Sequence, residues 1–223
     1  MTSSQYAALS VQTLRENAAA IFQTGPYVSR KVQILRPLIC PFGPIIDAVP
    51  DGAKLLDVGC GAGLFIGLIT TYRSDIHATG FDVSKAAINL AKQMQAAHSA
   101  KNRIAFNHQS VASAWPESNF DAVTLIDILH HLSHSEQQTA FETAVAHLKS
   151  DGRLIIKDMA RRPRWRAFAN WIHDIILARQ SVRLPREEDL MKWAKASGLI
   201  LLSKSHFNML WYGHVMWVFA RRS

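Results

Sequence analysis

The stretch from Leu55 to Gly63 constrains the fold of this 223-residue chain more than any other part of it. It reads Leu-Leu-Asp-Val-Gly-Cys-Gly-Ala-Gly, a short apolar run that ends in an acid and is followed by alternating glycines. The run is too short for a helix and follows the break at Pro50-Asp51-Gly52, so it predicts a buried strand. The glycines predict a tight turn where a ligand can lie against bare backbone. The apolar residues that follow, 64–69, predict a buried helix.

The glycine turn alone leaves open a structural bend, a dinucleotide site or a site for another nucleoside-containing cofactor. The dinucleotide fingerprint Gly-x-Gly-x-x-Gly fits Gly59 and Gly61, but Leu64 stands at its third glycine position. Asp82 ends a second predicted strand, 23 residues beyond Gly59. A carboxylate at a strand end can accept both hydroxyls of a ribose. The alternative for Asp82 is a solvated turn residue.

Short apolar runs alternate with helical patterns along the rest of the chain, which predicts an α/β fold with a parallel sheet. Ser84 predicts the N-cap of one helix, and Ser135 to Gln138 predict a capping box for another. The last two strands are expected to be joined through residues 209–213. The predicted strands are 54–58, 77–81, 103–107, 120–126, 153–158, 199–207 and 215–221, and the predicted helices include 4–21, 84–97, 135–148 and 186–197.

Residues 55–63 match every position of motif I of the class I S-adenosylmethionine-dependent methyltransferases, and the chain resembles that family. The run from Asp127 to Leu132 and the segment 148–156 are similar to its small-molecule branch, which includes enzymes of ubiquinone and menaquinone biosynthesis. The resemblance implies a Rossmann-like, doubly wound, seven-stranded sheet, mostly parallel with a C-terminal antiparallel hairpin. It also implies S-adenosyl-L-methionine as the cofactor and methyl transfer to oxygen or carbon of a small, hydrophobic metabolite.

The resemblance implies a set of cofactor contacts and two candidate catalytic bases. Many relatives carry an aspartate where this chain has Ser110, whose hydroxyl can still accept one hydrogen bond. His130 and His131 follow the fourth strand, and His131 matches a histidine often found in the family; a histidine can act as a base near neutral pH. The alternative is that both histidines only cap or pack the next helix. The implied cofactor contacts are Asp57, Gly59, Cys60, Gly61, Asp82, Val83, Ser110, Val111, Ile126 and Asp127.

The net charge of +8 is concentrated in one segment, since residues 149–186 carry ten Lys or Arg and three Asp. Four arginines between Arg161 and Arg166 precede an apolar helical face, and positive charge there opposes the helix dipole. The resemblance implies that residues 1–49 form a helical segment that covers the substrate, and 50–223 a methyltransferase domain with a basic amphipathic lid at 159–185. The apolar face comprises Trp165, Phe168, Ala169, Ile172, Ile175 and Ile176.

The basic segment leaves several partners open. It can dock a hydrophobic or anionic substrate, an acidic carrier protein or a membrane surface through Arg161–Arg166, or it can be a solvated face. An RNA methyltransferase that uses residues 149–186 is an alternative, although no appended RNA-binding module supports it, and a non-catalytic partner protein is another. The ten histidines and two cysteines form no close ligand cluster in the sequence, so we expect no metal. A cytoplasmic monomer or homodimer is expected, with peripheral membrane association as a variant.

Overall fold

A computed structural model of the protein describes residues 5–116, 119–160, 183–210 and 212–221. The chain divides into two compact units, Met1–Trp115 and Pro116–Ser223, and each has its own strands and helices. The predicted lid at 159–185 and its apolar helical face lie almost entirely outside the described residues. The division into a substrate cover at 1–49, a domain at 50–223 and a lid therefore stays a prediction.

The first unit is a parallel three-stranded arrangement in the order β3-β2-β1, with helices between the strands. Side chains of β1 beyond its first residue are buried, as the apolar run predicts. Its helices are α1 (Val11–Ile21), α2 (Tyr27–Leu35), α3 (Phe42–Ala48), α4 (Leu64–Tyr72) and α5 (Lys85–Ala97), with 3-10 turns at Arg36–Leu38 and Lys101–Arg103. Its strands are β1 (Lys54–Val58), β2 (His77–Asp82) and β3 (Ile104–His108).

Serine caps set two helix starts in the first unit. The Ser84 hydroxyl accepts the Ala87 N–H at the start of α5, as predicted. The predicted first helix, 4–21, begins later than expected because the Ser10 hydroxyl accepts the Thr13 N–H and α1 starts at Val11. Leu14 and Ala18 of α1 are buried.

In its described residues, the second unit has four strands in the order β4-β5-β7-β6. β4 and β5 are parallel, whereas β7 runs antiparallel to both β5 and β6. Its strands are β4 (Phe120–Ile126), β5 (Leu148–Met159), β6 (Leu199–Met209) and β7 (Tyr212–Arg221); its helices are α6 (His134–Ala146) and α7 (Glu187–Ala196), with a 3-10 turn at Leu129–His131. The fold class is therefore confirmed: seven strands, parallel except for a C-terminal antiparallel hairpin.

Two local predictions in the second unit are wrong. The capping box of α6 is formed by Ser133 and Glu136, not by the residues from Ser135: the Ser133 hydroxyl accepts the Glu136 N–H, and the Glu136 carboxylate accepts the Ser133 N–H over 2.8 Å. The predicted fifth strand, 153–158, also begins too late, because β5 already begins at Leu148 and runs through Gly152. A Cβ at Gly152 would lie 3.0 Å from the Phe120 carbonyl oxygen, so close packing against β4 accounts for that glycine.

Candidate active site

The glycine-rich loop after β1 closes over the end of β2. The N–H groups of Gly59 and Cys60 both donate to the carbonyl oxygen of Phe81, at 2.9 and 3.0 Å. Gly59, Gly61 and Gly63 have φ values of 70°, 55° and 80°. Side chains rarely adopt this left-handed conformation, so the alternating glycines are what allow the loop to turn so tightly.

The glycines of the loop face different surroundings. A Cβ at Gly63 would lie 2.5 Å from Cζ of Phe106, so this glycine is required by packing. A Cβ at Gly61 would meet no atom within 4 Å, so its backbone borders open space. Gly61 therefore presents the bare backbone that a bound cofactor needs. In this respect the glycine loop fits the predicted cofactor.

Asp82 is tied to the glycine loop. Its Oδ2 accepts the N–H of Gly61 over 2.8 Å, and its Oδ1 accepts the N–H of Ser84 over 2.8 Å. Each carboxylate oxygen can accept a second hydrogen bond, so the oriented group still has capacity for ligand hydroxyls. The next side chain, Val83, is 69% exposed, which leaves an apolar surface beside the acid. This geometry does not favour the alternative in which Asp82 is only a solvated turn residue.

Asp57 and Cys60 form the buried wall of the loop. Both residues are buried, Asp57 in β1 and Cys60 between the first two glycines. Burial raises the pKa of the Cys60 thiol well above its usual range, and the negative charges of Asp57 and Asp82 raise it further. The thiol is therefore protonated at neutral pH and is not a nucleophile.

Ser110 and Val111 lie in the turn that follows β3. The Ser110 hydroxyl accepts the N–H of Ala112 over 3.2 Å, and the Val111 carbonyl accepts the indole N–H of Trp115 over 2.9 Å. The buried Trp115 ring stands edge-on to Phe81 with 5.3 Å between centroids, which fixes the turn to the end of β2. The sequence analysis missed this role of Trp115.

Ile126 ends β4 in the second unit, and Asp127 follows it directly. Ile126 is buried, and Asp127 adopts a left-handed φ of 54°, which is uncommon for a residue other than glycine. The ammonium group of Lys157, on β5, lies 2.7 Å from both carboxylate oxygens of Asp127. Lys157 is fully buried, so this ion pair holds the turn after β4 in place.

His130 is buried against a second residue of β5. Its Nδ1 lies 2.6 Å from Oδ1 of Asp158, and its backbone N–H donates to Oδ2 of Asp158 over 3.2 Å. His130 is 4% exposed and Asp158 is fully buried. His131 is exposed, and its ring centroid lies 4.0 Å from that of His130.

Lys157 and Asp158 are the site residues that the sequence analysis missed. The sequence does contain a signal for them, since two adjacent charged residues interrupt the apolar run Leu154–Ala160 of a predicted buried strand. Asp127, His130 and Asp158 offer atoms that lie within 4.8 Å of one another, a spacing compatible with a metal ion. Lys157 and His130 already engage the carboxylates of Asp127 and Asp158. The expectation that the site holds no metal stays a prediction.

Three parts of the site prediction have different outcomes. The structure brings Gly59, Cys60 and Gly61 together with Asp82 in the first unit, and it brings Asp127 and His130 together in the second. Arg161–Arg166 lie outside the described residues. The roles assigned to individual residues stay predictions. Among the described residues, no helix is long and apolar enough to cross a bilayer.

A parallel α/β sheet with a glycine loop tied to an acid at the end of β2 is typical of proteins that bind a nucleoside-containing cofactor. The family described as "Methyltransferase domain" matches residues 31–204, and the chain belongs to that family. The predicted resemblance is confirmed. Solved structures that share the fold hold S-adenosylhomocysteine or S-adenosylmethionine.

Similar proteins include two ubiquinone biosynthesis O-methyltransferases. That of Alkalilimnicola ehrlichii is 26% identical over 163 residues, which cover 69% of this chain and 63% of the relative. The mitochondrial protein of Schizosaccharomyces pombe is 30% identical over 113 residues, 50% of this chain and 39% of the relative. The chain thus spans less than two thirds of the length of these relatives.

Solved structures share the fold at low sequence identity. Magnesium protoporphyrin IX methyltransferase from Synechocystis, with bound S-adenosylhomocysteine, has a TM-score of 0.67 at 17% identity, and the match covers 93% of both chains. A Burkholderia thailandensis 1,6-didemethyltoxoflavin-N1-methyltransferase has a TM-score of 0.68 at 16% identity, covering 94% of this chain and 88% of the other. These structures support the fold but do not assign a substrate.

Proposed function

We propose that this protein transfers the methyl group of S-adenosylmethionine to a hydroxyl oxygen of a small, hydrophobic metabolite. The observation that carries the cofactor part is the hydrogen bond from Gly61 to Asp82 beside open space at Gly61. The loop backbone offers a surface for the ligand, and the Asp82 carboxylate has acceptor capacity for the ribose hydroxyls. Asp57, Cys60, Val83, Ser110 and Val111 are proposed as further contacts, with Gly59 shaping the loop.

The chemistry of the cofactor limits what the protein must do. When bound, S-adenosylmethionine supplies a sulfonium methyl group that is already electrophilic. The protein then has to orient the acceptor in line with the methyl group, exclude water and remove the hydroxyl proton. His130 and His131 are the proposed candidates for proton removal, and Ile126 and Asp127 are proposed to border the cofactor.

The choice of oxygen as the acceptor atom has separate support. A hydroxyl acceptor needs a base, and the second unit holds a histidine hydrogen-bonded to a buried carboxylate. Two relatives bear names that state O-methylation in ubiquinone biosynthesis. Carbon as the acceptor atom remains within the proposal, because a base also serves an enol or a phenol that reacts at carbon.

A labelled-methyl transfer assay against a cell extract tests the substrate class. We expect label in organic-soluble small molecules, with S-adenosylhomocysteine formed in equal amount. The matched control is the same extract with Asp82→Ala protein, which should give far less label. Label recovered in RNA would contradict the proposed substrate class, and the absence of S-adenosylhomocysteine would contradict methyl transfer itself.

Delivery of the substrate on an acidic carrier protein or from a membrane surface is a further part of the proposal. Its support is the local excess of positive charge between residues 149 and 186. Flotation with vesicles of anionic or neutral lipid tests the membrane route, with a variant that changes the four arginines between Arg161 and Arg166 to glutamine as its counterpart. Equal binding to anionic and neutral vesicles, together with unchanged binding of the variant, would contradict delivery through these arginines.

A further inference from the structure

The exposed side of α2, in the first unit, is apolar. The side chains of Tyr27, Val28, Val32 and Leu35 are between 44% and 72% exposed. At about 100° per residue, these four positions and Lys31 share one side of the helix, within an arc of roughly 140°. A surface helix ordinarily turns such a stripe toward the core of its protein. The exposed stripe of α2 is therefore a candidate contact surface.

The other side of α2 attaches the helix to the first unit, mostly through polar residues. Ser29, Arg30, Gln33 and Ile34 are partly buried on that side. The Nε–H of Arg30 donates to the carbonyl oxygen of Phe22, at the end of α1, over 2.9 Å. Because this hydrogen bond and the partial burial fix the side that points inward, the exposed stripe points outward.

Lys31 lies within the exposed stripe, on the helix surface between Tyr27 and Leu35. Its ammonium nitrogen is 5.4 Å from the centroid of the Tyr27 ring. A lysine stem can lie along apolar surface while the ammonium group reaches a polar layer, and a tyrosine ring is likewise apolar with a polar tip. Aliphatic, tyrosine and lysine side chains on one face suit a helix that lies in a membrane interface.

The charge of the chain around α2 has one sign. Between Glu16 and Asp47 the sequence contains Arg30, Lys31 and Arg36 but no acidic residue. Positive charge beside an apolar stripe attracts the anionic headgroups of a lipid surface, and this attraction adds to the burial of the apolar side chains. The charge is therefore complementary to an anionic membrane.

A protein partner fits the exposed stripe less well. A groove that enclosed the stripe would bury the Lys31 ammonium group, which is costly unless the group is paired. A second copy packed on the same stripe about a twofold axis would bring two Lys31 side chains together, and like charges repel. A membrane interface leaves the ammonium group at the headgroups while the apolar side chains enter the lipid, so the observations favour a lipid surface.

We propose that the exposed stripe of α2 is a docking surface for an anionic lipid membrane. Tyr27, Val28, Val32 and Leu35 insert their side chains at the boundary of headgroups and acyl chains, and Lys31 contacts lipid phosphates. Docking in this way brings the unit that holds the glycine loop to the membrane surface. The surface belongs to a different segment from Arg161–Arg166, and the inference does not depend on the proposed function.

Flotation of the full-length protein with phosphatidylcholine vesicles, with and without phosphatidylglycerol, tests the docking surface. We expect binding that requires phosphatidylglycerol, with a partition coefficient at least about tenfold lower in the double variant Val28→Ser, Val32→Ser. Lys31→Glu should also bind about tenfold more weakly, and added salt should reduce binding of the wild type. The loss in the double variant should persist when the four arginines between Arg161 and Arg166 are changed to glutamine.

The matched control removes the same number of exposed aliphatic side chains from another surface. Ile200 and Leu202 of β6 are 41% and 49% exposed. The double variant Ile200→Ser, Leu202→Ser should bind vesicles as the wild type does. Melting temperatures of both double variants near the wild-type value will show that a loss of binding is not a loss of fold.

A fluorescent label reports insertion directly. Cys40 and Cys60 are both buried, so a thiol reagent should react first with a cysteine introduced at an exposed position. Val28→Cys carrying an environment-sensitive fluorophore should shift its emission to shorter wavelength when vesicles with phosphatidylglycerol are added. The same label on Leu202→Cys should not shift.

Three results would overturn the proposal. Wild-type vesicle binding in the Val28→Ser, Val32→Ser variant, with no spectral shift of the label at position 28, would show that α2 does not enter the lipid. Equal binding to vesicles with and without phosphatidylglycerol would contradict the role of Lys31. A wild-type dimer in sedimentation equilibrium that becomes a monomer in the Val28→Ser, Val32→Ser variant would show that a second copy covers the exposed stripe instead.

Discussion

The N–H of Gly61 donates to the carboxylate of Asp82 over 2.8 Å, across 21 positions of the chain. This bond joins the loop after β1 to the end of β2. It orients the acid beside Gly61, whose missing side chain leaves open space. The same contact explains why the glycine pattern and the distant acid were informative together, since the fold brings the loop and the acid into one site.

Substituting Gly61 should impair cofactor binding more than it impairs stability. Alanine at this position meets no atom within 4 Å, so the cost to folding is only the left-handed conformation, about 1 kcal/mol. Its methyl group would occupy space proposed for the ligand, and we expect Gly61→Ala to weaken S-adenosylmethionine binding by about tenfold or more. Gly52→Ala is the matched control, with φ of 66° and open space. Equal cofactor affinities in the two variants would place the ligand elsewhere.

Substituting Gly63 should impair stability more than it impairs cofactor binding. A Cβ would lie 2.5 Å from Cζ and 2.8 Å from Cε1 of Phe106, and φ is 80°. Overpacking and the left-handed conformation together should cost about 3 kcal/mol of the free energy of unfolding, measured by urea denaturation. The double variant Gly63→Ala, Phe106→Leu removes the clash and should recover part of that loss. If Gly63→Ala is as stable as Gly61→Ala, the packing described for this loop is wrong.

The Cys60 thiol should be unreactive in the folded protein. Its pKa is raised by burial first, then by the charges of Asp57 and Asp82, so little thiolate exists at pH 8. We expect iodoacetamide to modify it at least roughly tenfold more slowly than free cysteine. Measuring the rate in Cys40→Ser isolates Cys60, and urea should restore ordinary reactivity. Rapid alkylation of the folded protein would show that the thiol is exposed or ionised.

Acid should weaken the contact between Arg73 and Asp75. The hydrogen bond from the Arg73 guanidinium lowers the pKa of Asp75 to about 2. The folded pKa is below the unfolded value, so the stabilisation is present above about pH 4 and is lost as the pH falls toward 2. Because Asp75 is partly exposed, we expect Asp75→Asn to cost only about 1 kcal/mol at pH 7.

Urea denaturation of wild type and Asp75→Asn between pH 7 and pH 3 measures this effect. The difference in unfolding free energy should narrow as the pH falls. Asp51→Asn is the control, since Asp51 accepts from the same guanidinium but is 90% exposed and should contribute less. A difference between wild type and Asp75→Asn that is constant with pH would contradict the ionised pair.

His131 provides a direct comparison with His130. The two residues are adjacent, but His131 is exposed and His130 is buried against Asp158. With a panel of phenols with apolar substituents as methyl acceptors, we expect His131→Gln to reduce methyl transfer far less than His130→Gln does. A larger loss of activity in His131→Gln than in His130→Gln would favour His131, which matches the family pattern, over His130, which contacts Asp158.

The sequence predicted the contacts that depend on local patterns. The buried strand at residues 54–58, the glycine turn and the acid at position 82 follow from spacing and polarity over short windows, and the structure has all three. The contacts of Asp158 and Lys157 with residues 28 and 30 positions away depend on strand order and register, which no local pattern specifies. The two charges inside an apolar run were visible, but their partners were not.

The prediction for α6 shows a different limit. Ser133 and Ser135 lie on either side of His134, the first residue of the helix, and either can serve as a cap by residue type. The observed choice places Glu136 three residues after Ser133, so both partners of the capping box are satisfied. The hydrogen bonds from the Ser133 hydroxyl and N–H lower the pKa of Glu136 in the folded protein.

Isothermal titration of S-adenosylmethionine into wild type, Asp82→Ala and Asp75→Asn tests the central claim most directly. Asp75 precedes β2 and Asp82 ends it, so the two variants remove a carboxylate from opposite ends of one strand. Loss of a charged hydrogen-bond acceptor is worth about 2 kcal/mol, so we expect Asp82→Ala to bind about 30-fold more weakly while Asp75→Asn binds as the wild type does. Wild-type affinity in Asp82→Ala, with an unchanged melting temperature, would contradict cofactor binding at the glycine loop.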